Sequence, residues 1–137
     1  MAELRVSAAL QNLEDVIAFV NTQLHAADCP GSIQNKIDLA VEEVFANIAR
    51  YAYDSEVGDV VIRCEVDQAA REAIVVFSDT GKPYNPLLAR QPDISLSAQD
   101  RPIGGLGIFL VRQLMDCVSY AFQSGQNTLT LRKSWNK

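Results

Sequence analysis

The chain has little of what metal or redox chemistry usually requires. It holds one histidine, His25, and three cysteines, Cys29, Cys64 and Cys117, far apart along the chain. A lone imidazole excludes zinc sites built on histidine pairs, and a Ser-His-Asp triad would have to take its base from inside an amphipathic helix. The cysteine spacing fits neither a metal knuckle nor a redox pair, so all three read as small, buried, apolar residues in a reducing compartment. Cations are scarce too: 12 Lys and Arg stand against 17 Asp and Glu, for a net charge of −5. With no cluster of positive charge to neutralise a phosphate backbone, a dedicated nucleic-acid surface is not expected. Long apolar runs are also missing, since none approaches the roughly 20 residues needed to cross a bilayer. Glu3, Arg5, Glu14 and Asp15 break up the segment where a signal peptide would carry its apolar core. The expectation is a soluble, cytoplasmic protein with neither a membrane nor a nucleic-acid partner.

What the chain does have is core. With 137 residues, 48% of them hydrophobic, it can bury about two-thirds of its unfolded surface as a single domain over 1–137. Residues 3–8 alternate weakly, as a short edge strand would. Leu13, Val16, Ile17, Val20 and Leu24 recur at helical spacing, with Asn12 placed to cap the helix. After Asp28-Cys29-Pro30-Gly31, Ser32 is placed to cap a second helix that buries Ile37, Val41, Val44 and Ile48 and runs to about Tyr53. The period then becomes two: Val60, Ile62, Cys64 and Val66 share one face of a strand, and residues 72–78 form its hairpin partner. A long irregular segment from Asp79 to Gly104 holds Pro83, Pro86, Pro92 and Pro102, and loops of that length in a compact domain are usually functional. A third helix follows from Gly107 to Met115. Two strands, 117–123 and 128–133, joined by a Ser-Gly-Gln-Asn turn, close the chain. Helices packed against an antiparallel sheet make a two-layer sandwich, without parallel βαβ repeats.

Three places in this scheme offer chemistry. On the second helix, Glu43 and Asn47 are four residues apart and so lie one turn apart on the same face, which favours Glu43 over its neighbour Glu42 as the partner of Asn47. That pair suits a single ion or substrate, or a solvated helix face. Asp79-Thr80-Gly81 ends the strand over 72–78, an arrangement common in pockets and equally ordinary as turn chemistry. Gly104-Gly105-Leu106-Gly107 opens the third helix, where backbone N–H groups at the positive helix end suit a phosphate. No Gly-Lys-Ser/Thr follows, so this is not a P-loop. No third glycine follows at the dinucleotide spacing, where Leu110 stands instead.

Taken in order, the three elements resemble the N, G1 and G2 boxes of the GHKL ATPase superfamily, and in particular the small anti-sigma-factor serine/threonine kinases of bacterial partner switching. Val41-Glu42-Glu43-Val44-Phe45-Ala46-Asn47-Ile48-Ala49-Arg50-Tyr51-Ala52-Tyr53 looks like the N box. Phe77-Ser78-Asp79-Thr80-Gly81-Lys82-Pro83-Tyr84-Asn85-Pro86 looks like the G1 box, and Arg101-Pro102-Ile103-Gly104-Gly105-Leu106-Gly107-Ile108-Phe109-Leu110-Val111-Arg112 like the G2 box. The resemblance implies an α+β two-layer sandwich, with a mixed, mostly antiparallel sheet covered on one face by about three helices. It implies ATP and Mg²⁺ as cofactors, with Asn47 holding the Mg²⁺ and Glu43 acting as general base. Asp79 would accept from the adenine amino group, Gly81 would make room for the base, and residues 87–103 would form a lid. Gly104, Gly105, Leu106 and Gly107 would cradle the phosphates, with Arg101 as a further phosphate contact. The partners implied are a STAS-type anti-anti-sigma protein, a sigma factor or other regulator, and a second copy of the chain. Tyr51 stands where many relatives carry histidine. Two other readings are a nucleotide-gated binding module without catalysis and a histidine-kinase catalytic domain. The latter needs a helical hairpin bearing a phosphoaccepting histidine, whereas His25 stands alone in the first helix.

Overall fold

The computed structural model describes residues 1–53, 58–88 and 105–135. Five strands, β1 (Ala2–Ser7), β2 (Asp59–Asp67), β3 (Glu72–Asp79), β4 (Cys117–Gln123) and β5 (Gln126–Ser134), form one sheet in the order β1-β2-β3-β5-β4. Three helices, α1 (Leu13–Ala26), α2 (Gly31–Tyr51) and α3 (Gly105–Leu114), cover one of its faces. All pairings among these strands are antiparallel, so the mixed sheet expected from the resemblance gives way to a wholly antiparallel one. The connections explain this. β2–β3 and β4–β5 are tight hairpins, and the long segment after β3 returns the chain through α3 to the far edge.

Strand alternation decides which residues meet the helices. Val60, Ile62 and Cys64 of β2, Ala73, Val75 and Phe77 of β3, and Leu129 and Leu131 of β5 are buried on the covered face. Against them pack Val16, Val20 and Leu24 of α1, Ile37, Val41, Val44 and Phe45 of α2, and Ile108 and Val111 of α3. Phe45 and Phe77 are nearly inaccessible, and each contributes about 1.5–3 kcal/mol by leaving water. The opposite face carries exposed ion pairs, Glu3 with Arg63 (3.0 Å) and Glu72 with Arg132 (3.5 Å). Such pairs add little stability but keep an uncovered sheet wet.

Asn12 takes the N-cap position of α1 as expected but its side chain makes no cap bond, whereas the expected cap at Ser32 is corrected. A 3-10 turn over Leu10–Asn12 leads into α1, so the Asn12 backbone is already turned rather than extended, and its side-chain amide donates back to the Ser7 carbonyl (2.9 Å). In α2 the N-cap is Pro30, whose carbonyl accepts from Ile33 and Gln34 (3.0 and 2.9 Å), which leaves Ser32 inside the first turn. Cys29 and Cys64 are buried as expected, but Cys117 is exposed, because the pleat of edge strand β4 turns it to the uncovered face. Burial pushes the Cys64 thiol up to about 12. It raises Cys29 as well, with a smaller push from the Asp38 carboxylate. Neither thiol is therefore a nucleophile at neutral pH.

One polar contact between α1 and α2 is poorly matched. Asp38 is hydrogen-bonded by the Asn21 side chain, yet Asn21 Oδ1 and Asp38 Oδ1 are both buried without a partner. Burial holds the Asp38 carboxyl above the ordinary carboxylate range, and the Asn21 bond offsets this only in part. With a raised folded pKa, the native state takes up a proton before the unfolded chain does. This group therefore costs stability at neutral pH, and the cost disappears as pH falls through the raised value. Asp38→Asn supplies a donor and removes the charge. Urea unfolding should show it about 1 kcal/mol more stable than wild type at neutral pH, with the difference shrinking in mild acid.

Candidate functional site

The alternation that builds the core also carries two polar residues to its end. Asp79 follows Val75 and Phe77 on the covered face of β3, and Asn127 precedes Leu129 and Leu131 on the covered face of β5. The two are paired across the strands, and both are buried. There the helix layer opens into a cleft whose volume, counted with the space open to solvent, is about 550 Å³. Val44, Ile48, Phe77, Ile108 and Leu129 give it an apolar floor, and Asn47, Tyr51, Asp79, Tyr84, Tyr120 and Asn127 supply polar groups.

Asp79 is held firmly. Its Oδ1 accepts from the Gly81 N–H (2.9 Å) and from Asn127 Nδ2 (3.0 Å). Asn127 Nδ2 also faces the carbonyls of Lys82 (3.0 Å) and Gly81 (3.4 Å), while its Oδ1 accepts from the Tyr84 N–H (3.2 Å) and the Tyr120 hydroxyl. One end of this side chain meets only acceptors and the other only donors, and an amide is the side chain that satisfies both. Asn127 therefore fixes the turn after β3 from the sheet side. Gly81 fixes it from the helix side. A Cβ there would overlap the Ala52 carbonyl at the end of α2, and the next residue's N–H donates to that same carbonyl (3.0 Å). The missing side chain at Gly81 thus allows the end of α2 to approach the turn closely.

At the other end of the cleft, α2 meets α3. The position that a Cβ on Gly107 would occupy lies 2.7 Å from Glu43 Oε2 and 3.7 Å from Asn47 Nδ2. Glu43 and Asn47 thus converge on the opening turn of α3, and a side chain at 107 would fill the space they share. Glu42 is exposed, so the geometry separates the two neighbouring glutamates as the four-residue offset predicts. Gly105 and Leu106 lie in the first turn of α3, whereas Arg101, Gly104 and most of the expected lid lie outside the described residues. Among the described residues no group of three or more His, Cys, Asp and Glu is placed to hold a metal. An amide oxygen such as that of Asn47 suits a hard cation held mainly by a ligand's own oxygens, so the donor set fits Mg²⁺ bound together with phosphates.

Asn127 and Tyr120 escape sequence reasoning. The expected turn Ser-Gly-Gln-Asn takes in Asn127, but Ser124 and Gly125 alone turn the chain, with φ of 53° and 76°. Two successive positive φ values mark a two-residue hairpin loop, which places Gln126 and Asn127 inside β5.

A two-layer sandwich whose helix-borne Glu and Asn face a glycine-opened helix, with a strand-end Asp across the cleft, has the layout of a nucleotide-binding ATPase domain. Residues 6–133 match the histidine kinase-like ATPase domain, and the chain belongs to that family. It is 32% identical over 95 residues to the serine/threonine-protein kinase BtrW of Bordetella bronchiseptica, covering 69% of this chain and 66% of that one. To the serine-protein kinase RsbW of Bacillus cereus it is 28% identical over 93 residues, covering 66% and 58%. The matched region thus spans less than two-thirds of these relatives. Among solved structures, the RsbU and RsbW domains of Rv1364c from Mycobacterium tuberculosis superpose with a TM-score of 0.64 at 14% identity, over 98% of this chain and 32% of that one. The Erythrobacter litoralis EL346 blue-light activated histidine kinase gives 0.61 at 17%, over 91% and 40%. At such identities they show the fold. Among the described residues, no helix is long and apolar enough to cross a membrane.

Proposed function

We propose that this domain binds Mg²⁺·ATP and transfers the γ-phosphoryl group to a serine or threonine hydroxyl of a STAS-type anti-anti-sigma protein. In its other state it would hold a sigma factor or similar regulator, as a cytoplasmic homodimer. The observation that carries this reading is the convergence of Glu43 and Asn47 on Gly107 at one end of a cleft that Asp79 closes at the other. The named kinases among its relatives support the reaction class.

Each residue has a task that its chemistry suits. Asp79, oriented by Gly81 and Asn127, accepts from the exocyclic amine of adenine, which guanine replaces with a carbonyl. The N–H groups opening α3 receive phosphate oxygens. The Asn47 amide oxygen would hold the cation, which when bound spreads the charge of the transferring phosphoryl group. Glu43 takes the proton of the attacking hydroxyl onto its carboxylate as that oxygen bonds to the γ-phosphorus and the bond from that phosphorus to the β-phosphate oxygen breaks, releasing ADP. Arg101, Gly104 and Leu106 enter as phosphate contacts on the resemblance alone.

The decisive experiment incubates the chain with radiolabelled ATP and a STAS protein encoded beside it. Labelled STAS protein is the expected result. Bound ATP without transfer would overturn the kinase reading and leave a nucleotide-gated binding module. In calorimetry, Asn47→Ala should lose the enhancement of ATP affinity by Mg²⁺ altogether, while affinity measured in EDTA stays near wild type. An unchanged Mg²⁺ effect would remove Asn47 from the metal site.

A further inference from the structure

The phosphate end of the cleft belongs to α2 and the base end to β3, so the reach between them depends on how the end of α2 is joined to the residues after Asp79. One side chain brings three hydrogen bonds to that joint. Tyr53 lies just past α2, and its hydroxyl donates to the Asp59 carbonyl at the start of β2 (2.7 Å). The same oxygen accepts from the Thr80 N–H (2.8 Å). A phenol has one proton, and Asp59 takes it, so the Thr80 hydroxyl at 3.1 Å must be the donor in the third contact. The ring is seated where Gly58 has no side chain, for a Cβ at 58 would overlap it. Tyr53 therefore ties α2, the start of β2 and the end of β3 to one oxygen, beside the carboxylate that reads the base.

We infer that Tyr53 is a positioning residue for nucleotide recognition: its hydroxyl sets the distance and angle between Asp79 and the Glu43–Asn47 face of α2. This rests on the nucleotide reading above. Thr80 stands between Asp79 and Gly81, so its main chain governs where the Asp79 carboxylate points. Without the phenol, the bond from Lys82 to Ala52 and the Asn127 contacts still hold the turn, while Thr80 loses the tie to the end of α2 and the start of β2. The turn that carries Asp79 can then shift relative to the Glu43–Asn47 face of α2, which takes the carboxylate out of reach of the amine.

The test is Tyr53→Phe, which keeps the ring on Gly58 and deletes only the hydroxyl. Affinity for ATP should fall about tenfold, the equivalent of one lost hydrogen bond to a positioned group. Affinity for GTP should change little, so the preference for ATP shrinks by a similar factor. A role in folding alone would lower the melting temperature and leave the ATP-to-GTP ratio at its wild-type value, and that result overturns the proposal. Wild-type protein that binds no nucleotide overturns the nucleotide reading itself, whereas wild-type binding with an unchanged Tyr53→Phe variant overturns this inference alone. Amide exchange on the wild-type chain gives a check that needs no variant. The Thr80 N–H should be protected, and exchange at the rate of an open loop would show that the phenol does not hold it.

Discussion

Glu43→Gln should lower the rate of phosphoryl transfer by about 10²–10⁴-fold, the usual contribution of a general base. ATP affinity should stay within about twofold of wild type, because glutamine keeps the shape beside Gly107 while losing the charged carboxylate that takes the proton. The geometry makes the prediction specific. Glu43 Oε2 lies where a side chain on Gly107 would stand, while Glu42, of identical chemistry one position earlier, is exposed. Glu42→Gln should therefore transfer at the wild-type rate. Single-turnover labelling paired with calorimetry measures both quantities, and full transfer by Glu43→Gln would dismiss it as the base.

The second large effect is expected at Asn127. Truncation to alanine takes a donor from Asp79 Oδ1 and from the carbonyls of Gly81 and Lys82, and an acceptor from the Tyr84 N–H and the Tyr120 hydroxyl. Buried networks of this kind are costly to break in part, and a loss of about 2–4 kcal/mol in urea unfolding is expected. ATP binding should fall even where the variant remains folded, since Asp79 is left with the Gly81 N–H as its remaining holder among these contacts. Asn127→Asp should be worse than alanine, because it sets a second carboxylate against Asp79 and two carbonyls. An alanine variant as stable as wild type would show that the network adds nothing.

The elements with a clean period are legible from the chain, and those that depend on partners are not. The period of two through Val60, Ile62 and Cys64, and the helical spacing of Val16, Val20 and Leu24, follow from burial on one face, which hydrophobicity records directly. Helix starts are harder to read: Asn12 takes the N-cap position but makes no cap bond, and Ser32 falls inside the first turn. The 3-10 turn before α1 and Pro30 before α2 decide those conformations first. Of the site, Glu43 and Asn47 are paired by their four-residue spacing, while Asp79 and Gly107 stand out through the order of the three boxes and the resemblance it carries. Asn127 and Tyr53 act across elements. Asn127 meets Asp79 only because of the β3–β5 register, and Tyr53 reaches Thr80 only once the hairpin has closed on α2. Such contacts leave no periodic trace in the chain.

The placement of the aromatic residues has an optical consequence. All four tyrosines gather at one end of the molecule: Tyr51, Tyr84 and Tyr120 line the cleft, and Tyr53 stands at its joint. The single tryptophan, Trp135, follows β5 at the opposite end, where its backbone N–H bonds to the Arg71 carbonyl (3.0 Å). The eight residue steps from Asn127 to Trp135 span about 25 Å. A molecule entering the cleft meets Tyr51, Tyr84 and Tyr120 and leaves the indole alone. The unlabelled protein is thus its own ratiometric probe, with tyrosine emission reporting occupancy and tryptophan emission serving as the internal reference.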